Sequence, residues 1–160
     1  QLPAHGAITP ADAPFRSSLC HTDSLILAGF NQTAIGVDAE PLDRRAEWQR
    51  LARRWFPGRE TDWLLAHPEP LAAFLMLWTL KEAWIKATGR GIAGHLQALA
   101  LDPDSERLVV DQAGPGWRAA TTVLHGHRVS VIWQGSAEPE WRHEGCACYP
   151  DWSFPEVVPR

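Results

Sequence analysis

Glu82 stands where a helix needs an apolar residue. The stretch PLAAFLMLWTLKEAWIKAT, Pro70–Thr88, puts Leu71, Phe74, Leu75, Trp78 and Ile85 at the three-and-four spacing of a buried helical stripe. Glu82 follows Trp78 by four residues and precedes Ile85 by three, so it falls on that stripe. A carboxylate there must be paired, protonated or metal-bound, because burying a lone charge is too costly. Lys81 and Lys86 flank it, Lys86 one turn further along the same side. One carboxylate and two ammonium groups on an apolar rod suggest a site for a metal and phosphates.

A second pair of carboxylates lies upstream. Residues 34–40 (AIGVDAE) read as a short strand, and strand positions two apart face the same way. Asp38 and Glu40 therefore project side by side, with Cα atoms roughly 7 Å apart. Like charges this close repel unless a cation sits between them. An exposed polar strand end is the plainer reading of such a pair. Gly36 and Val37 look buried, which favours the metal.

The remaining elements must hold these groups in place. Residues 1–14 read as an extended connection, and residues 25–30 as a strand following SLCHT. His21, in that segment, reads on its own as a loop-end histidine satisfied by backbone, with a phosphate donor as the alternative. Residues 42–56 read as an amphipathic helix on Trp48, Leu51, Ala52 and Trp55. Its arginines, Arg44 and Arg45 among them, are most simply a solvated face, a partner-docking patch being the other reading. Pro57-Gly58 breaks that helix, residues 59–66 form a shorter one, and Pro70 suits the first position of the long helix. Gly89, Gly91 and Gly94 end it and let a loop pass close to a ligand.

From His95 the period changes to two. Residues 95–101, 107–110, 117–124 and 127–133 read as strands, with a hairpin turn at Leu124-His125-Gly126-His127. His125 and His127 read as turn residues. The tail, residues 138–160, is rich in Pro and Trp and lacks periodicity. His143, Cys146 and Cys148 lie close together there but match no standard zinc spacing.

Composition sets outer bounds. At 160 residues, 45% hydrophobic and 21% charged, the chain is one soluble globular domain, or one and a fragment. No apolar run approaches the roughly 18 residues of a membrane span, and there is no signal-peptide pattern. Three cysteines, an odd number, argue against a disulfide framework and fit a reducing, cytoplasmic compartment. Between Pro41 and Glu60 six arginines face three acidic residues, a local +3, so within a total of −4 the rest of the chain carries −7. That asymmetry argues against nucleic-acid binding and suits docking to a small acidic partner. A chain beginning with Gln rather than Met reads as trimmed.

GVDAE at 36–40 and WTLKEAWIK at 78–86 together resemble the paired signatures of the 4′-phosphopantetheinyl transferase superfamily. Gly36, Val37, Asp38 and Glu40 fill the first pattern; Trp78, Thr79, Lys81, Glu82, Ala83 and Lys86 fill the second. ARRWFPGRE between them is similar to the family's intervening segment, and SLCHT to the S-H-S stretch of its Sfp-type branch. Cys20 and Thr22 replace the two serines, and Ala7 in HGAIT replaces a lysine common upstream.

The resemblance implies an α+β fold with a small antiparallel sheet packed on a long central helix. It divides the chain into a linker and last strand of a short or absent N-terminal half (1–34), a transferase domain (35–135) and a Pro/Trp-rich tail (136–160). It implies a Mg²⁺ held by Asp38, Glu40 and Glu82, with His21, Lys81 and Lys86 on the phosphates of coenzyme A. Glu82 would also be the catalytic base. The implied reaction moves 4′-phosphopantetheine from coenzyme A to a serine of an acidic acyl or peptidyl carrier protein, releasing 3′,5′-ADP. Arg44 and Arg45 gain weight as carrier-docking residues. The rival expectation is a non-catalytic module that binds coenzyme A or a carrier protein without turnover.

Overall fold

The computed structural model describes residues 15–44, 47–91, 96–111, 114–138, 140–142 and 151–160. Its centre is a three-stranded antiparallel sheet made of β3 (Ile35–Pro41), β7 (His127–Gln134) and β6 (Trp117–Leu124), in that order. Alternation fixes the two faces of this sheet. Gly36, Asp38 and Glu40 on β3 lie opposite Ile132, Ser130 and Arg128 on β7. These residues share the face that meets the long helix α3 (Pro70–Thr88).

On that face Ala119 and Ile132 join Phe74, Leu77, Leu80, Ala83 and Trp84 of α3 in the larger hydrophobic core. Val37, Ala39, Val129, Val131 and Trp133 point the other way and join Cys20 in a second core. That second core lies beneath the hairpin of β1 (Arg16–His21) and β2 (Ile26–Asn31).

Helix α3 begins with Pro70 at its first turn and stops at Gly89, whose φ of 66° is the left-handed conformation of a C-terminal cap. From Ala73 to Lys86 only Met76, Trp78 and Glu82 escape full burial. The stripe expected from the sequence is therefore corrected. The helix is enclosed on nearly every side, and Trp78 with Glu82 forms its more open line. The run of apolar residues from Leu71 to Leu77 is continuous, so periodicity alone could not select the face.

One glycine is required by packing. A Cβ added to Gly36 would lie 1.8 Å from the carbonyl oxygen of Ala83 and 2.6 Å from the backbone nitrogen of Ala87. Strand β3 thus crosses α3 backbone against backbone, and no side chain fits between them. This crossing sets Asp38 and Glu40 against the Trp78–Lys86 part of the helix.

The first arginine-bearing helix, α1 (Trp48–Trp55), starts six residues later than expected. Residues 41–44 instead form a turn, closed by Arg44 N donating to Pro41 O at 3.2 Å. The shorter α2 (Gly58–Ala66) follows, and a second sheet holds β4 (Leu99–Asp102), β5 (Arg107–Val110) and β8 (Val157–Pro159).

Two of these strands were not expected. Strand β1 is a mixed-polarity run, RSSLCH. It lies beside β3, where the Val37 amide donates to Ser18 Oγ at 3.1 Å. Strand β8 comes from the tail and pairs in parallel with β5. The tail also bridges to β6, where Thr121 and Ser153 exchange two backbone hydrogen bonds of 2.9 Å.

Candidate active site

Where β3 crosses α3, four charged side chains converge. Asp38, 4% exposed, accepts from Lys86 Nζ at 2.8 Å, and Lys86 also donates to Val37 O at 3.1 Å. The Cys20 thiol donates to the same Asp38 oxygen, with Sγ 3.5 Å away. The other oxygen, Asp38 Oδ2, is buried and has no hydrogen-bond partner. Glu40 pairs with Arg44 and also bonds the side chain of Trp78. The Arg44 guanidinium lies over the Trp78 ring, 5.6 Å from its centroid.

Glu82 is half-buried beside them. Burial, then the charge of Asp38 and that of Glu40, pushes its carboxyl up to about 7, against the opposing pull of Lys86 and Arg44. Burial likewise raises Asp38 despite Lys86, and Glu40 despite Arg44. The three carboxylates are therefore close enough to feel one another.

A hydroxyl chain fixes this geometry. Thr79 Oγ1 lies 2.7 Å from Ser130 Oγ, which donates to Thr121 Oγ1 at 3.1 Å. Ser130 faces Asp38 in the β3–β7 register. Thr79 thus ties α3, one turn before Glu82, to the strand that carries Asp38's neighbour. Sequence reasoning gave Ser130 no role, because a serine at that place continues the polar/apolar alternation of HRVSVIW and carries no signal of its own.

The other expected residues are placed differently. Lys81 is not among the groups gathered at the carboxylates. It is fully buried in the core, 2.9 Å from Glu60 Oε2, and donates to the carbonyls of Leu96 at 3.0 Å and Leu99 at 2.5 Å. One step along a helix turns a side chain by about 100°, so Lys81 and Glu82 leave α3 in different directions. His21 ends β1, exposed, on the opposite side of that strand from Cys20. Arg44 sits on the turn before α1 and is engaged by Glu40. Arg45 lies outside the described residues, as do His143, Cys146 and Cys148.

The residues present fit a hard divalent cation. All three candidate ligands are carboxylates, the donor type that Mg²⁺ prefers. Asp38 Oδ2 is a buried acceptor without a donor, and the neighbouring acids raise one another's proton affinity. With the side chains as they stand, no group of three His, Cys, Asp or Glu among the described residues has metal-binding geometry, since Asp38 turns to Lys86 and Glu40 to Arg44. Beside them, Lys86 lines a cavity of about 530 Å³ together with Arg16, Ser17 and Thr88.

Three carboxylates and a buried lysine thus come together at a helix–strand crossing beside a cavity. Residues 34–139 match the profile of the 4′-phosphopantetheinyl transferase superfamily, and the chain belongs to that family.

The 4′-phosphopantetheinyl transferase HetI of Nostoc is 35% identical over 126 residues, which cover 76% of this chain and 52% of that protein. The 4′-phosphopantetheinyl transferase Sfp of Bacillus subtilis is 30% identical over 149 residues, 92% of this chain and 59% of that protein. The chain thus spans between half and three fifths of the length of these relatives. Among solved structures, holo-[acyl-carrier-protein] synthase of Thermotoga maritima shares the fold with a TM-score of 0.51 at 18% identity, over 66% of this chain and 64% of that one.

Proposed function

We propose that this chain supplies the catalytic carboxylates of an enzyme that transfers 4′-phosphopantetheine from coenzyme A to a serine of an acyl or peptidyl carrier protein. The observation that carries this reading is the unpartnered Asp38 Oδ2, buried beside Lys86 and within electrostatic reach of Glu82 and Glu40. Asp38, Glu40 and Glu82 would hold Mg²⁺, which when bound supplies positive charge to the pyrophosphate. Lys86, already at this site and lining the adjoining cavity, binds a phosphate oxygen and offsets charge on the departing 3′,5′-ADP. His21, exposed at the end of β1, is a further coenzyme contact.

The serine hydroxyl oxygen attacks the phosphorus that carries the pantetheine arm. The bond from that phosphorus to the ADP oxygen breaks, and the serine proton passes to Glu82. Lys81 has no contact to offer here, because its three donors point to Glu60 and two carbonyls. A cytoplasmic location fits the reading, and no described helix is long and apolar enough to cross a membrane.

Incubating the chain with an apo carrier protein, coenzyme A and Mg²⁺ tests the reading by mass spectrometry. One added phosphopantetheinyl group is expected, and no gain across several carriers would overturn it. The rival, a binding module without turnover, draws on the fact that Lys86 and Arg44 already occupy two of the three acids. Calorimetry that shows tight coenzyme A binding with no transfer would favour that rival.

A further inference from the structure

Arg128 is a cation in the wrong place for a structural arginine. It lies on β7 directly opposite Glu40, on the face that meets α3. Side chains opposite each other in an antiparallel ladder have Cβ atoms about 5 Å apart. Glu40 nevertheless gives its carboxylate to Arg44 and Trp78. Arg128 is half-buried, and its Nε is fully buried without a hydrogen-bond partner. Among the described residues no carboxylate makes an ion pair with it, and burial alone shifts it, lowering its proton affinity. The exposed arginines of α1 are solvated by water. Arg128 has given up part of that solvation and received no ion pair from the described residues in return, which is costly for a charge.

Its position says which side of the site it serves. Lys86, paired with Asp38, marks the end of the carboxylate cluster that lies next to the cavity and the C-terminus of α3. Glu40 and Arg128 lie two residues further along the β3–β7 pair, roughly 7 Å away, beside the 124–127 turn. In a phosphoryl transfer the nucleophile and leaving group stand roughly in line on opposite sides of phosphorus. If the leaving nucleotide occupies the Lys86 end, the acceptor arrives from the Arg128 end. Val123, opposite Arg128 on β6, is 47% exposed and adds an apolar surface beside the charge.

We propose that Arg128 is an acceptor-docking residue: its guanidinium takes an acidic side chain of the carrier protein and holds the acceptor serine on the side of the cluster away from Lys86. The proposal rests on the transferase reading above. The occupant is a protein carboxylate rather than a coenzyme phosphate because Arg128 lies beyond Glu40 from Lys86. A fork-shaped guanidinium also matches a carboxylate with two parallel hydrogen bonds.

The experiment is calorimetric titration of apo acyl and peptidyl carrier proteins, and separately of coenzyme A, into wild type, Arg128→Gln and Arg128→Lys. In Arg128→Gln, carrier affinity should fall at least ~10-fold while coenzyme A affinity stays within about twofold. Arg128→Lys should retain an intermediate carrier affinity. The Arg128 Nε–H resonance of the unmutated protein should shift on adding carrier and not on adding coenzyme A, a readout that needs no variant to fold. Unchanged carrier affinity in Arg128→Gln, or a resonance that responds only to coenzyme A, would overturn the proposal and leave the transferase reading standing. A wild type that neither binds nor modifies any carrier would overturn both.

Discussion

Two lysines five residues apart on α3 each meet a buried carboxylate, and the two pairs differ in one respect. Lys81 and Glu60 are sealed: both are 0% exposed. The lysine's donors reach Glu60, Leu96 O and Leu99 O, and Glu60 Oε1 accepts from the Leu101 amide at 2.7 Å. The Phe56 ring lies 4.6 Å from the ammonium. Lys86 and Asp38 are buried too, each side chain 6% exposed, but lie at the edge of the core. Asp38 keeps an unpartnered oxygen, Glu82 stands half-buried alongside, and a cavity adjoins. The closed pair joins α2, α3 and β4 and is out of reach of any ligand, although Glu60 Oε2 meets only the Lys81 ammonium. The Lys86–Asp38 pair has an unmet need. Two lysines of one helix thus end in different surroundings, Lys81 inside the core and Lys86 at its edge beside a cavity.

Removing half of the sealed pair should show the largest effect. Lys81→Met leaves Glu60 charged and buried, and urea denaturation should report a loss of roughly 3–5 kcal/mol. Adding Glu60→Gln to that variant removes the orphan charge while keeping an acceptor for Leu101, and should recover most of the loss. A double variant as unstable as the single one would mean that the pair is not the isolated unit described here. Removing Lys86 by the same substitution should cost less, because the Lys86–Asp38 pair is 6% exposed on each side rather than fully sealed, and Lys86 borders the cavity.

Gly36→Ala comes next. Its Cβ meets backbone rather than a movable side chain. Separating β3 from α3 should cost about 1–3 kcal/mol and weaken divalent-cation binding together with stability. Normal cation affinity in a destabilised variant would show that the crossing does not set the carboxylate geometry.

A pH titration of the metal-free protein probes the carboxylates around Lys86 without mutation. The carboxyls of Asp38, Glu40 and Glu82 are all raised on folding. The native state therefore holds their protons more tightly than the unfolded chain does. The stability they confer is full on the acid side and is lost as pH rises through the folded values, about 7 for Glu82. The midpoint of thermal unfolding should fall between about pH 5 and pH 8 in chelator. Mg²⁺ should reverse the fall, and Glu82→Gln should flatten it. A midpoint that rises over this range would contradict the crowding of the three acids.

The smallest effect is expected for Thr79→Val, which removes one buried hydroxyl from the chain to Ser130. About 1 kcal/mol of stability should go, with a larger relative loss in transfer rate if the chain positions Glu82. Equal small losses in both would make Thr79 a core residue only.

Much of the Lys86–Asp38 pair was legible in the sequence, and little of the sealed one. Asp38, Glu40, Glu82 and Lys86 announce themselves because charged residues at fixed spacing on apolar elements have no cheap structural explanation. The direction of Lys81 was not readable, since α3 is apolar on nearly every side and a single step along it changes the neighbours completely. Its partner Glu60 looked like one of several local charges around the arginines. Strands β1 and β8 escaped for related reasons: RSSLCH mixes polar and apolar residues on both faces, and β8 finds its partner in a distant strand. Arg128 sat inside an unremarkable alternating strand, and only the register showed that its natural counter-ion is engaged elsewhere.

The central claim is that Asp38, Glu40 and Glu82 act as one cation-binding unit. Mn²⁺ titration followed by electron paramagnetic resonance, in the presence of coenzyme A, tests it most directly. Wild type should bind one ion, and Asp38→Asn and Glu82→Gln should each abolish that binding while unfolding cooperatively. Retention of the ion by both variants at wild-type affinity would contradict the account.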